Sequence, residues 1–220
     1  MSVAIFLLVL VISYLIGSIP FGLLLVKLLK GEDIRNISSG RTGGTNAMRA
    51  AGFWVGLATA LLDILKGASG VWIAELLLPG STWLKVFAPL MAILGHNYSI
   101  FLIDRKDGRI RFGGGAGGAP CVGGAIGLWW PSLLVIIPLG FIVLFGLGYA
   151  SVATMSIGLV SMMIFLVLAA FFQFPWEFIL YGVLAEALLL WALRPNIKRL
   201  LNGTERLVGW RAKRAAPSRR

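Results

Sequence analysis

The sequence predicts an all-α, polytopic integral membrane protein with about seven transmembrane helices. Of the 220 residues, 58% are hydrophobic and only 13% are charged, and the mean hydropathy of +0.89 is far above that of a soluble domain. The net charge of +11 comes from basic residues that are clustered along the chain rather than scattered. Such clustering favours a role in membrane orientation, so no nucleic-acid partner is expected.

The predicted spans follow from the length of the apolar stretches, since a spanning helix needs about 20 apolar residues. Five stretches reach this length: 2–26, 53–78, 83–103, 152–172 and 176–193. A sixth stretch, 117–147, is too long for one helix and is interrupted at Trp129-Trp130-Pro131. Because proline ends or kinks a helix, we divide this stretch into two short helices, which makes seven.

The basic clusters predict the orientation of these spans. Residues 27–49, 104–116 and 194–220 hold 18 of the 20 Lys and Arg residues, and such residues concentrate in cytoplasmic loops. Seven spans bring all three clusters to one side, with the N-terminus outside and the C-terminus in the cytoplasm. We therefore expect a single membrane domain over residues 1–220 that ends in a basic cytoplasmic tail, 205–220.

The lone cysteine, Cys121, excludes an intramolecular disulfide and a cysteine-based metal site. We interpret it as a small residue packed between helices. A redox or zinc site is therefore not expected.

Two polar segments have the composition of a phosphate site. Residues 38–49 combine hydroxyl groups, glycines, an amide and the guanidinium groups of Arg41 and Arg49, all of which can bind a phosphorylated molecule. The glycine-rich segment 113–120 precedes a predicted helix, whose N-terminus favours an anion. Each segment has an alternative interpretation: an ordinary basic loop for the first, and close packing of helices for the second.

Three further features are unusual for an apolar chain. Asp63 and Lys66 lie three residues apart in the second span, where they can form a structural ion pair or line a cavity. His96 lies in the third span, where packing or hydrogen bonding is favoured over ligand contact. The basic segment 194–205 follows the last span and is either an interfacial helix end or part of a site.

In the same order along nearly the whole chain, these segments resemble the bacterial acyl-phosphate:glycerol-3-phosphate acyltransferases, the PlsY family. The most specific similarity is that of residues 39–49, Ser-Gly-Arg-Thr-Gly-Gly-Thr-Asn-Ala-Met-Arg, to the family's Ser-Gly-Asn-x-Gly-Ala-Thr-Asn-x-x-Arg. Shorter similarities lie at 14–20, at 63–67 (Asp-x-x-Lys-Gly), at 94–96 (Leu-Gly-His), at 148–151 (Gly-Tyr-x-Ser) and at 196–200 (Asn-Ile-x-Arg-Leu).

The resemblance implies transfer of a fatty acyl group from acyl phosphate to the 1-hydroxyl of glycerol 3-phosphate, which gives lysophosphatidic acid for phospholipid biosynthesis. It implies a multi-pass protein of the cell's plasma or inner membrane, in contact with lipid, with a cytoplasmic active site and no cofactor. A soluble partner, the enzyme that makes acyl phosphate, is also implied.

The resemblance also implies four groups of site residues. The positioning or catalytic residues are Ser39, Arg49 and Asn196, and the residues that bind glycerol 3-phosphate are Ser39, Arg41, Thr45, Asn46 and Arg49. The residues that bind acyl phosphate are Gly113, Gly114, Gly115, Gly117 and Gly118, and the supporting residues are Asp63, Lys66, His96 and Ser151.

The sequence departs from the family pattern at two positions of the implied site. Ala116 stands where the family has lysine, and Leu193 stands where it has histidine. We hypothesise that Arg41, which replaces a family asparagine, or Arg111, from a longer basic loop, supplies the missing cation. Two alternatives remain open: an impaired relative that binds or senses a phosphorylated lipid precursor, and a small transporter. The lack of an evident inverted repeat weakens the transporter hypothesis.

Overall fold

The computed structural model describes residues 2–106 and 108–215, except the side chains of Lys106, Arg109, Lys213 and Ala215. The last five residues of the predicted basic tail lie outside the described residues. The helices are α1 Ser2–Ser18, α2 Phe21–Lys30, α3 Gly44–Ala51, α4 Phe53–Leu77, α5 Thr82–Asn97, α6 Gly118–Leu128, α7 Leu133–Leu147, α8 Ala150–Phe172, α9 Glu177–Leu201 and α10 Gly209–Ala215. The strands are β1 Ile103–Lys106 and β2 Arg109–Phe112.

The fold is that of a helical membrane protein. Within the described chain, five helical stretches are long and apolar enough to cross a membrane, namely Ser2–Lys30, Phe53–Leu77, Trp130–Leu147, Ala150–Phe172 and Glu177–Leu201. The other two predicted spans form α5 and α6, which are shorter, with 16 and 11 residues. The predicted class is therefore confirmed, whereas the number seven and the orientation stay predictions.

The first predicted span is not one continuous helix. The chain breaks at Ile19-Pro20 between α1 and α2, and the second helix then continues to Lys30. Proline cannot donate a backbone hydrogen bond, so a break here leaves carbonyl groups without helical partners. The ammonium group of Lys66 donates to the carbonyl oxygen of Ile19 at 3.0 Å, which satisfies one of them.

Two other predicted boundaries were wrong. The third predicted span ends at Asn97 rather than at residue 103, and a short antiparallel hairpin of β1 and β2 follows, with Ile103 opposite Phe112. In the sequence, the Asp107-Gly108 pair between these two segments is a turn signal. The helix of the last predicted span, 176–193, continues through Pro195 to Leu201, so the first part of the basic segment 194–205 is the end of this helix.

The stretch 117–147 divides into two helices as predicted. α6 ends at Leu128, a 3₁₀ turn covers Trp130–Ser132, and α7 begins at Leu133. α6 is part of a core cluster shared with α5, α8 and α9. In this cluster the Tyr181 hydroxyl donates to the carbonyl oxygen of Cys121 at 2.6 Å, and Cys121 is fully buried. The prediction that Cys121 packs between helices is confirmed.

Glycines set the distance between α4 and α6. A side chain at Gly67 would collide with the backbone of Pro120, and one at Gly123 would collide with the backbone of Ile64. The two helices therefore touch through their backbones, as small residues allow in membranes. This contact brings Asp63 on α4 close to the start of α6.

Candidate active site

A cavity of about 340 Å³ lies where the loop before α3, the start of α6, the start of α8 and the end of α9 meet. Its polar lining comprises Ser39, Arg41, Thr45, Asn46, Arg49, Ser151, Asn196, Arg199, Glu205 and Arg206. The cavity continues into an apolar part lined by Val122, Ile136, Ile137, Gly140, Phe141, Leu144 and Ile157. One end therefore suits an anion and the other suits a hydrocarbon chain.

The loop of residues 38–43 is shaped by two left-handed residues and one buried amide. Ser38 and Gly40 have φ of 49° and 69°, a region that few residues other than glycine adopt. The side-chain nitrogen of Asn46 donates to the carbonyl oxygens of Ile34, Ile37 and Arg41 at 3.2, 3.0 and 2.9 Å. Asn46 is thus primarily the internal support of this loop.

Arg41 links this loop to two distant segments. Its Nη1 donates to the carbonyl oxygen of Gly115 at 3.2 Å, and its Nη2 donates to the carbonyl oxygen of Ala192 at 2.7 Å and to Oδ1 of Asn196 at 3.0 Å. Burial, followed by the charge of Arg199, lowers the pKa of Arg41, but arginine remains charged at neutral pH. A cation is therefore fixed at the cavity wall.

Arg49, in the last turn of α3, is the least constrained of the predicted cations. It lines the cavity, and within the described part of the chain it makes no hydrogen bond or ion pair. Burial lowers its pKa most, and the nearby charge of Arg206 lowers it further. Arg49 nonetheless keeps an exposed surface, and a guanidinium without a protein partner is well suited to a phosphate.

The glycine-rich turn contributes less to the cavity than expected. The N–H groups of Gly113 and Gly115 donate to the carbonyl oxygens of Leu102 and His96 at 3.0 and 2.8 Å, so they are used inside the fold. Side chains at Gly114 and Gly115 would collide with residues 96 and 97 at the end of α5. Gly114 and Gly115 pack against the end of α5 and Gly113 packs against Leu102 in the turn that follows it, and only the end of the glycine-rich turn borders the cavity.

Gly117 and Gly118 border the cavity at the start of α6. Gly117 precedes the helix with φ of 86°, which explains the glycine. The first N–H groups of a helix have no intrahelical acceptor, and the helix dipole makes them attractive to an anion. Of the five glycines predicted to bind acyl phosphate, these two have the geometry for it.

Asn196, on α9, belongs to a polar cluster that sequence reasoning found only in part. Its Nδ2 donates to Oε1 of Glu205 at 2.8 Å, while Ser151 Oγ donates to the same oxygen at 3.0 Å. Nε of Arg199 donates to the other oxygen, Oε2, at 2.9 Å. Burial alone would raise the pKa of Glu205, but these hydrogen bonds outweigh it and hold the pKa below its usual 4.5.

Arg199, Glu205 and Arg206 are the cavity residues that sequence reasoning missed as site residues. Arg199 and Glu205 lie in the basic segment 194–205 that we had singled out, but a helix end at the membrane surface has the same composition. The Asn202-Gly203 pair is a turn signal, but it does not indicate that the chain turns back over the cavity.

Asp63 and His96 line the inner part of the cavity. Nζ of Lys66 lies 2.8 Å from Oδ1 of Asp63, and both side chains are 1% exposed. Nδ1 of His96 lies 3.6 Å from the same oxygen. The predicted pair therefore exists, and it combines both interpretations: it is a buried structural ion pair, and its carboxylate borders the cavity.

The described residues include no group of three or more His, Cys, Asp or Glu side chains that could hold a metal ion. Arg111, the other candidate for the missing cation, lies in β2 and is not among the described residues that line the cavity.

The family model described as glycerol-3-phosphate acyltransferase matches residues 7–203. The glycerol-3-phosphate acyltransferase of Rhodopseudomonas palustris is 38% identical over 207 residues, which cover 94% of this chain and 98% of the relative. The glycerol-3-phosphate acyltransferase 2 of Moorella thermoacetica is 39% identical over 211 residues, which cover 94% and 99%.

The fold is similar to the crystal structures of PlsY, an integral membrane glycerol 3-phosphate acyltransferase. The glycerol 3-phosphate form superposes with a TM-score of 0.80 at 30% identity and covers 96% of this chain and 99% of that one. The lysophosphatidic acid form gives a TM-score of 0.76 at 30% identity and covers 93% and 95%. These similarities favour the acyltransferase hypothesis over the binding protein and the transporter. The chain belongs to the glycerol-3-phosphate acyltransferase family of integral membrane enzymes.

Proposed function

We propose that this protein transfers a fatty acyl group from acyl phosphate to the 1-hydroxyl of glycerol 3-phosphate, giving lysophosphatidic acid and inorganic phosphate. The observation that carries the proposal is the two-part cavity. Its polar end holds the guanidinium groups of Arg41, Arg49, Arg199 and Arg206, and its other end is an apolar groove between α6, α7 and α8. A polar acceptor and an acyl donor with a long hydrocarbon chain can meet only where the two parts join.

The binding roles follow from this division. Ser39, Thr45 and Arg49 lie on the loop and helix at the polar end, where glycerol 3-phosphate would bind. The acyl chain would lie in the groove, which brings the phosphate of the donor to Gly117 and Gly118 at the start of α6. Arg41, bonded to the carbonyl oxygen of Gly115, adds positive charge beside that phosphate.

The chemistry requires positioning and charge stabilisation rather than a strong protein base. The hydroxyl oxygen attacks the acyl carbon, the bond from that carbon to the phosphate oxygen breaks, and the hydroxyl proton passes to a phosphate oxygen of the substrate. Glu205 is a poor base because three donors hold its carboxylate and lower its pKa. An acyl phosphate is already activated, so guanidinium and helix N–H groups around the developing charge can supply most of the acceleration.

We also infer that α5 and α6 cross the membrane together with the five longer stretches, which gives seven spans with the N-terminus outside. This topology puts the polar end of the cavity at the cytoplasmic face, where the soluble enzyme that makes acyl phosphate would deliver its product. The basic clusters on the loops around the cavity support this orientation.

The test is phosphate release by purified protein in lipid, given palmitoyl phosphate with and without glycerol 3-phosphate. Release that requires glycerol 3-phosphate, is matched by lysophosphatidic acid and is lost in Arg49→Ala supports the proposal. Arg194→Ala is the control, since its guanidinium stacks on Trp191 outside the cavity. Binding of glycerol 3-phosphate without release would instead favour the binding protein, with Ala116 and Leu193 as the reason.

A further inference from the structure

The chain turns back over the cavity after α9. Gly203 has φ of 68°, and the N–H of Thr204 donates to the carbonyl oxygen of Arg199 at 2.8 Å, which reverses the chain direction. Residues 204–211, which we call the C-terminal strap, then run from the end of α9 to the end of α7. The strap lies beyond the family match, which ends at residue 203.

The strap is anchored at both ends and in the middle. The Glu205 carboxylate is bonded to Ser151, Asn196 and Arg199 at one end. In the middle, the N–H of Val208 donates to the carbonyl oxygen of Gly148 at 2.8 Å.

The other end of the strap is hydrogen-bonded to the end of α7. Nε1 of Trp210 donates to the carbonyl oxygen of Phe145 at 3.0 Å. Nη1 of Arg211 donates to the carbonyl oxygens of Gly146 and Leu147 at 3.2 and 2.8 Å. Arg206 is therefore held over the cavity.

Arg206 faces the loop that carries the predicted acceptor site. Its Nη1 donates to Oγ of Ser38 at 3.1 Å, and its side chain lines the same cavity as Arg49. The backbone of Ser38 has φ of 49°. This conformation costs free energy and persists only where contacts with the surrounding structure hold it in place. The strap thus contacts the loop at its most strained residue.

Within the described part of the chain, Arg49 and Arg206 form no ion pair with a carboxylate. The charge of Glu205 acts on Arg49, but three donors already hold the oxygens of this carboxylate. Two like charges kept together at a cavity wall repel each other, and an anion between them relieves the repulsion. Two guanidinium groups held in this way form a binding site that is pre-organised for a phosphate.

We propose that Arg206, carried by the C-terminal strap, binds the phosphate of glycerol 3-phosphate together with Arg49. The inference rests on the proposed function, because the acceptor is assigned there. We assign Arg206 to the phosphate of the acceptor rather than to that of the acyl donor because Arg206 is hydrogen-bonded to the loop that carries Ser39. In the proposed function, the donor phosphate binds beside the first turn of α6. The acceptor site is complete only when the strap is docked.

The test compares Arg206→Gln, Arg206→Lys and the control Arg214→Gln in the full chain in lipid. Arg214 stacks on Trp210 in α10 and does not line the cavity. We expect Arg206→Gln to raise the KM for glycerol 3-phosphate roughly ten- to a hundred-fold, the effect of losing one hydrogen bond between charged groups. The KM for palmitoyl phosphate should stay unchanged, Arg206→Lys should recover part of the loss, and the control should match the wild type.

Calorimetric binding of glycerol 3-phosphate without an acyl donor separates this inference from the proposed function. If the wild type binds glycerol 3-phosphate but makes no product, acyl transfer fails while the role of Arg206 is still measured by the loss of affinity in Arg206→Gln. Wild-type affinity in Arg206→Gln overturns the inference. Equal rises in both KM values together with a lower melting temperature also overturn it, because they would mean that Arg206 only holds the strap in place.

Discussion

Nη2 of Arg41 lies 3.0 Å from Oδ1 of Asn196, a residue 155 positions further along the chain. The same guanidinium group is bonded to the carbonyl oxygens of Gly115 and Ala192. These are the neighbours in sequence of Ala116 and Leu193, where the family resemblance leads us to expect lysine and histidine. Three departures from the family pattern thus meet at one place, which supports Arg41 over Arg111 as the substitute cation.

The first prediction concerns this substitution. Arg41→Asn should lower kcat with palmitoyl phosphate by about 10²- to 10³-fold, comparable to the loss of one donor that stabilises developing charge. Adding Ala116→Lys to Arg41→Asn should restore much of the loss, since it returns a cation to the same end of the cavity. Initial rates of phosphate release measure both effects. Unchanged turnover in Arg41→Asn would mean that Arg41 is not the substitute.

The second prediction concerns the buried ion pair. Asp63→Asn leaves the Lys66 ammonium buried without its counter-charge, so it should lower the free energy of unfolding by about 3–5 kcal/mol. The control is Glu75→Gln, which breaks the exposed pair of Glu75 and Lys85, with a distance of 2.9 Å, and should cost at most about 1 kcal/mol. Thermal unfolding in detergent compares them. Equal losses in the two variants would contradict a stabilising role for the buried pair.

The third prediction concerns pH and the strap. The folded pKa of Glu205 is lower than its usual 4.5, so the carboxylate contributes its full stability above that value and loses it as pH falls through the folded pKa. The wild type should therefore be more stable than Glu205→Gln at pH 7, and the difference should disappear below the folded pKa. Melting temperatures between pH 3 and pH 8 measure this, with the exposed Glu32→Gln as the control. A difference that does not change with pH would refute the anchoring role of the charge.

The fourth prediction concerns the apolar groove. Gly140 lines it, while Gly146, on the same helix, does not, and a side chain at either position would meet open space. Gly140→Leu should narrow the groove and lower kcat/KM for palmitoyl phosphate more than for decanoyl phosphate, by up to roughly ten-fold, which corresponds to about 1.4 kcal/mol. Gly146→Leu should leave the ratio unchanged. The same ratio in both variants would argue against an acyl chain beside α7.

Much of the fold was predictable because the length of an apolar stretch is enough to predict a membrane-spanning helix. The break at Pro20 and the end of α5 at Asn97 also have local signals, a proline and the polar run from His96 to Ser99, but a prediction from apolar length alone ignores both. The hydrogen bond from Lys66 to the carbonyl oxygen of Ile19, 47 residues away along the chain, was not predictable because it depends on how the helices pack.

The polar lining of the cavity was predictable where local chemistry is concentrated, as in the segment that contains Ser39 and Arg49. The strap was not, because Glu205 and Arg206 look like ordinary residues of a basic tail. Gly113 and Gly115 show the opposite error. The glycine-rich motif suggested free N–H groups, but these two N–H groups donate to the carbonyl oxygens of Leu102 and His96 inside the fold.

The weak packing of α7 against the rest of the protein affects the route by which the acyl donor reaches the cavity. Within α7 only Ile136 is buried, although one side of the helix forms the wall of the groove. A hydrocarbon chain could therefore enter from the surrounding lipid without passing through water. Encounters would then take place by diffusion in two dimensions, and the rate should follow the mole fraction of acyl phosphate in the bilayer rather than its amount per volume of buffer.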